Sequence, residues 1–220
     1  MKAHCGTWMW SFAAGVLLIG LGACGGLGGP NPPNHYYVLN AASTASATGV
    51  GQAQHGPLIG VSPVSLPAYL DQAGITTRGA GNEVVRAEYD RWAGPLGSEI
   101  TRVVGENLAL MVPTDRLTTT QTGRSISLDY LVEIEIAAFE RDQSGAVQLV
   151  ARWSLFSQDG NNLLTMQTSR ISRPTSGSDY DSDAAAMSSA LEALCHDIAA
   201  AIRENLATPR TTKAPPKATK

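Results

Sequence analysis

The 220-residue sequence predicts an α+β fold, a mostly antiparallel sheet with two main helices packed on one face. Two observations predict it. From Leu128 to Ala138 every even position is apolar, while the odd positions include Asp129, Glu133 and Glu135; from Val147 to Leu155 the odd positions are apolar. A period of two is that of half-buried strands. Two other stretches repeat at helical spacing: Leu96, Ile100, Val103, Val104, Leu108 and Met111, then Met187, Leu191, Leu194, Cys195, Ile198, Ile202 and Leu206. Striped helices beside one-sided strands bury both against a single core.

The elements follow in order. Residues 1–23 read as a lipoprotein signal peptide: Lys2 is a short positive start, and Trp8 to Leu21 is an apolar run. That run is short for a bilayer core of ~30 Å, which needs about 20 apolar residues. It ends in Leu21-Gly22-Ala23-Cys24, the lipobox pattern of bacterial lipoproteins, so Cys24 is the expected lipidation site and the chain's means of membrane attachment. Gly25 after the cysteine favours the outer membrane, since in enteric bacteria Asp at that position favours retention in the inner one.

Residues 24–34 are Gly- and Pro-rich and read as a flexible tether; ten such residues reach about 33 Å when extended. The folded domain is expected over 35–207. His35 to Asn40 reads as a first strand, 41–56 as a small-residue loop, Leu58 to Val64 as a strand disturbed by Pro63, and Ile75 to Arg78 as a short extended piece. A Gly79–Asn82 turn leads to a strand over Glu83 to Tyr89. Pro95 suits the first turn of the first helix and Pro113 stops it. Arg141 to Gly145 joins the two alternating strands, Asp159 to Asn162 makes a second hairpin, and Leu163 to Ile171 returns as a third strand. The last helix follows Asp181-Ser182-Asp183. The tail 208–220, rich in Thr, Pro and Lys, is expected to be disordered.

Charge narrows the function classes. Of sixteen basic residues, Lys2 lies in the signal segment and Arg210, Lys213, Lys217 and Lys220 in the tail, which leaves eleven against nineteen acids in the body, a balance of −8. Such a body should bind neither nucleic acid nor an anionic bilayer through nonspecific charge. Of the three cysteines, Cys5 lies in the signal segment and Cys24 takes lipid. Cys195 is then left alone on an apolar stripe, as a small core residue rather than a nucleophile. His35, His55 and His196 have no partners at metal-ligand spacing, so no metal or cofactor is expected. Asp129, Glu133 and Glu135 read as the wet face of a strand. There is no nucleophile elbow and no phosphate loop, so an enzyme is not expected. The densest local pattern is Ala87 to Leu96 (AEYDRWAGPL). It joins a strand to a helix and carries the Tyr, Arg and Trp favoured in binding surfaces, although the same residues suit a structural corner.

In order after the lipobox come Tyr36 to Leu39, Ile59 to Asp71 (IGVSPVSLPAYLD), Ile75 to Arg78, Ala87 to Leu96, and Glu106-Asn107-Leu108. Together they resemble the PqiC family of ABC-type transport auxiliary lipoproteins. The resemblance covers most of the mature body, and its first half is the specific part. It implies an outer-membrane lipoprotein facing the periplasm, serving a lipid transport system built on an MCE (mammalian-cell-entry) protein and docking the periplasmic tunnel to the outer membrane. It carries over no catalytic residues. Tyr69, Arg91 and Trp92 are the expected partner-binding residues. A symmetric tunnel would suit a ring homo-oligomer around it. An assembly or accessory lipoprotein for another outer-membrane machine is the alternative.

Overall fold

The computed structural model describes residues 32–42, 56–114, 116–119, 127–157 and 162–207. Contacts divide the chain between Pro33 and Asn34, and the core lies wholly in the second unit, between Leu39 and Ile202. The signal segment with Cys5, Cys24, most of the tether, most of the 41–56 loop with His55, the 159–161 part of the second turn and the tail from 208 lie outside the described residues.

Ten elements make up the described fold. They are β1 (His35–Tyr37), β2 (Ile59–Val61), β3 (Gly74–Arg78), β4 (Val84–Trp92), α1 (Leu96–Met111), β5 (Leu117–Thr119), β6 (Tyr130–Arg141), β7 (Ala146–Ser157), β8 (Asn162–Pro174) and α2 (Tyr180–Ala207). They form an α+β fold with two helices, and the sheet is mixed, which corrects the expectation of a mostly antiparallel one. Hairpin neighbours β3/β4, β6/β7 and β7/β8 run antiparallel, but β1/β4, β2/β5, β2/β6 and β3/β6 run parallel. The cause is β6. Its twelve residues pair with β7 along one edge, and the other edge is shared end to end by β2, a bridge at Ser65 and the end of β3. Segments reaching that edge after turns and crossovers are free to run with β6.

The meander follows the alternation. Tyr130, Val132, Ile134 and Ile136 of β6 are buried, as are Val147, Leu149, Ala151, Trp153 and Leu155 of β7. A bulge between Ile136 and Ala138 breaks the period, and past it both Phe139 and Glu140 are buried. The β6–β7 turn places Gly145 at φ +78°, where a side chain would be strained. Asp142 caps this turn by accepting from Ser144, Ala146 and Gln148, which holds its carboxyl below the usual carboxylate range, the Ser144 hydroxyl being the main cause.

α1 begins after Pro95, whose carbonyl accepts from Ser98 and Glu99, and it stops at Met111 before Pro113. Its buried residues pack against α2, β2 and β5. α2 is long and apolar enough to cross a membrane by length and composition, yet its stripe from Met187 to Ile202 is buried against β7, β8 and α1, as in a core helix. Asp183, in its first turn, is 1% exposed. It faces Arg141 at 3.3 Å, and burial pushes its carboxyl above the usual range.

Candidate functional site

The chain enters the sheet through β1, which pairs in parallel with the end of β4 and sets His35 opposite Asp90, Tyr36 opposite Arg91 and Tyr37 opposite Trp92. The Tyr37 hydroxyl donates to Asp90 at 2.9 Å, and His35 Nδ1 lies 3.2 Å from the same oxygen. Burial, with Asp90 second, pushes the Tyr37 hydroxyl up to about 12. The next residues strap across both helices. Arg102 donates to the Leu39 carbonyl at 2.7 Å, Ser188 Oγ accepts the Asn40 N–H at 3.1 Å, and Asn107 Oδ1 accepts the Ala42 N–H at 2.7 Å. Leu39 is fully buried beneath the strap. Asn107, from the Glu106-Asn107-Leu108 motif, therefore fastens the entering chain.

The segment Ala87 to Leu96 builds the corner beside that entry. Register places Thr76 opposite Arg86 and Gly74 opposite Arg91, so a two-residue step on β3 faces a five-residue step on β4. The surplus residues bow out and leave a cavity of about 440 Å³ lined by Gln72, Ala73, Gly74, Arg86, Ala87, Glu88 and Arg91. Gly74 is required there: a Cβ on it would lie 2.4 Å from the Ala87 carbonyl oxygen and 2.7 Å from Arg86 Cγ. Arg91 Nε donates to the Glu88 carbonyl at 3.2 Å, which braces the bow, and Arg86 donates to Gln72 Oε1 at 3.3 Å. Trp92 follows, 4% exposed, with its N–H bonded to the Ala73 carbonyl. Trp92 is thus the core pin of the corner, while Arg91 stands at the rim of the cavity.

Tyr69 lies apart from these two. Its hydroxyl shares the buried Glu140 carboxylate with the Arg78 guanidinium, and Glu140 also accepts the Phe139 N–H at 2.7 Å. Burial, then Glu140, raises the Tyr69 hydroxyl. This clamp ties the 66–72 turn to the bulged end of β6. Sequence reasoning missed Glu140, because the alternation read from Leu128 stops at Ala138, two residues short of it, and runs across the bulge without showing it.

The other chemical candidates are accounted for by structure. Cys195 is buried, and burial pushes its thiol up to about 12. Glu135 pairs with Arg152 on the exposed sheet face, and Asp129 accepts the Leu58 N–H at 2.9 Å. His196 is exposed on α2. Among the described residues no group of His, Cys, Asp and Glu is arranged to hold a metal ion. The edge strand β8 exposes Leu163, Leu164 and Met166, with Met166 57% exposed.

The described body is a mixed sheet beside two helices, with a strapped N-terminal strand and a polar corner cavity. The comparisons with known proteins give the family. The model of the ABC-type transport auxiliary lipoprotein component family matches residues 37–199, and the chain belongs to that family. The family is a transport auxiliary lipoprotein component, not a known enzyme family, and its lipoproteins are membrane-associated in bacteria. Among solved structures, a crystal structure of an uncharacterized protein aligns with TM-score 0.63 and 19% identity, over 78% of this chain and 99% of that one. Protein XCC0632 from Xanthomonas campestris, of the family DUF330, aligns with TM-score 0.62 and 17% identity, over 80% and 100%. These likenesses show the shared fold. No curated protein sequence matches the chain.

Proposed function

We propose that this lipoprotein, anchored through Cys24 to the outer membrane and facing the periplasm, docks the tunnel of an MCE-type intermembrane lipid transport system to that membrane. Membership of the transport auxiliary family across 37–199 is the observation that carries the reading. The fixed corner where the chain enters the body supports it, because a strap held by Arg102, Ser188 and Asn107 transmits the pull of a tether to the whole fold. In this reading Arg91 touches the partner, Trp92 holds Arg91 in place from the core, and Tyr69 keeps the adjoining turn in shape. Several copies would surround a symmetric tunnel as a ring. The exposed apolar residues of β8 offer such copies, or the tunnel itself, a protein-binding edge. The test is affinity capture of the lipidated protein from solubilised envelopes, with Cys24→Ala as the control. Capture of an MCE protein supports the reading. Capture of a β-barrel assembly machine in its place supports the accessory-factor alternative.

A further inference from the structure

We infer that the cavity at the β3–β4 bulge is an oxyanion site that takes a carboxylate side chain of a partner protein. This deepens the proposed function and rests on its reading of the chain as working by protein contact.

The bulge sets two arginines at its ends, Arg86 at the Thr76 register position and Arg91 at the Gly74 position, and both line the cavity between them. Four other arginines of this acidic body are ion-paired: Arg78 with Glu140, Arg102 with Glu99 and Glu106, Arg141 with Asp183, and Arg152 with Glu135. Among the described residues Arg86 and Arg91, like Arg116, Arg170, Arg173 and Arg203, form no ion pair, and Arg86 and Arg91 stand together in the lining of one cavity. Each donates one hydrogen bond, to Gln72 and to the Glu88 carbonyl respectively, which leaves most guanidinium donors of both for a ligand. Of the nearby acids, Asp90 is held by Tyr37 and His35, while Glu88 lines the cavity itself and accepts from the Tyr89 hydroxyl. A guanidinium fork matches the planar geometry of a carboxylate.

The choice of a protein carboxylate over a lipid phosphate follows from the walls and the charge. The apolar residues in the lining are Ala73, Gly74 and Ala87, so the cavity wall offers acyl chains little surface. The body's balance of eleven basic to nineteen acidic residues repels an anionic bilayer at long range, whereas a single carboxylate on a docked segment is drawn in at short range.

The test uses residues 24–220 carrying Cys24→Ala, which keep the whole core. The probe is a capped peptide with two glutamates, and its glutamine counterpart is the control. Arginine Nε–H resonances are followed by NMR. The glutamate peptide should shift Arg86 and Arg91 saturably and the glutamine peptide should not. Arg86→Gln with Arg91→Gln should abolish binding, and Arg91→Lys should weaken it severalfold with only a small drop in the thermal midpoint from the lost bond to the Glu88 carbonyl. Absence of an arginine shift at millimolar peptide overturns the site. Co-sedimentation with phosphatidylglycerol vesicles that disappears in the double Gln variant overturns the protein carboxylate in favour of a lipid phosphate. In envelopes, Arg86→Glu with Arg91→Glu should lower recovery of the transporter at least tenfold, and unchanged recovery overturns the docking role. A wild-type protein that captures no transporter refutes the proposed function, while the peptide titration still decides the site.

Discussion

Gly74→Ala should destabilise the protein, and the structure fixes the sign. At a position free of contacts the change would help, because alanine narrows the unfolded ensemble and adds about 0.4–1 kcal/mol. Here the new methyl would meet the Ala87 carbonyl oxygen at 2.4 Å and Arg86 Cγ at 2.7 Å. Ordinary contact lies near 3.5 Å or beyond, so β3 and the bow of β4 must part by roughly 1 Å. The nearest obstacle is backbone, and no rotamer change relieves it. Overpacking of this kind costs about 1–3 kcal/mol and outweighs the entropic gain. For a body of this size each kcal/mol moves the thermal midpoint by about 2–4 °C. Gly105→Ala in α1 is the matched control. Its Cβ would find Leu117 Cδ2 at 3.6 Å and Thr119 Cγ2 at 3.8 Å, ordinary contacts, so the variant should gain up to about 1 kcal/mol from helix propensity. Both are read by urea and thermal unfolding. A Gly74→Ala protein as stable as wild type would refute the close approach that forms the cavity floor.

Other consequences are as direct. Glu140→Ala strips an acceptor from Tyr69, Arg78 and Phe139 at once and should cost about 2–4 kcal/mol, discounted because Arg78 can partly rehydrate; Tyr69→Phe should cost only about 0.5–1.5 kcal/mol in the same urea titration. Asp183 has a folded pKa above its unfolded one, so its contribution is fully present below the unfolded value and is lost as pH rises through the folded one. Asp183→Asn should therefore be more stable than wild type at pH 7, with the difference vanishing below about pH 3.9; a variant weaker than wild type at pH 7 would mean that attraction to Arg141 outweighs burial. The Cys195 thiol, pushed up to about 12, should resist iodoacetamide at pH 8 in residues 24–220 with Cys24→Ala, and should react at the rate at which the fold opens; rapid labelling without urea would contradict its burial.

Much of the fold was legible where local pattern decides structure. The alternation of β6 and β7, the two helical stripes and the prolines flanking α1 all appear where the sequence places them. Strand direction was less legible. Hairpins announce antiparallel pairing through their turns, but the three-residue strands β1, β2 and β5 carry no signal for which neighbour they will meet, and tertiary packing made each of them parallel to its partner. The bulge at Ile136/Ala138 was also hidden, since one unpaired residue leaves no mark in composition. At the corner the sequence singled out Ala87 to Leu96 but did not separate its roles, because an aromatic in a core and one on a binding face look alike. The structure assigns Trp92 to the core and Arg91 to the cavity rim, and it adds Arg86 and Gly74, which become significant only through the register of β3 against β4.

The most direct test of the account is affinity capture of the lipidated chain from solubilised envelopes, with its bound proteins identified by mass spectrometry. The account predicts recovery of an MCE-domain transporter protein with the wild type and loss of the chain from the membrane fraction with Cys24→Ala. Recovery of an unrelated outer-membrane machine, or of the chain alone, would contradict it.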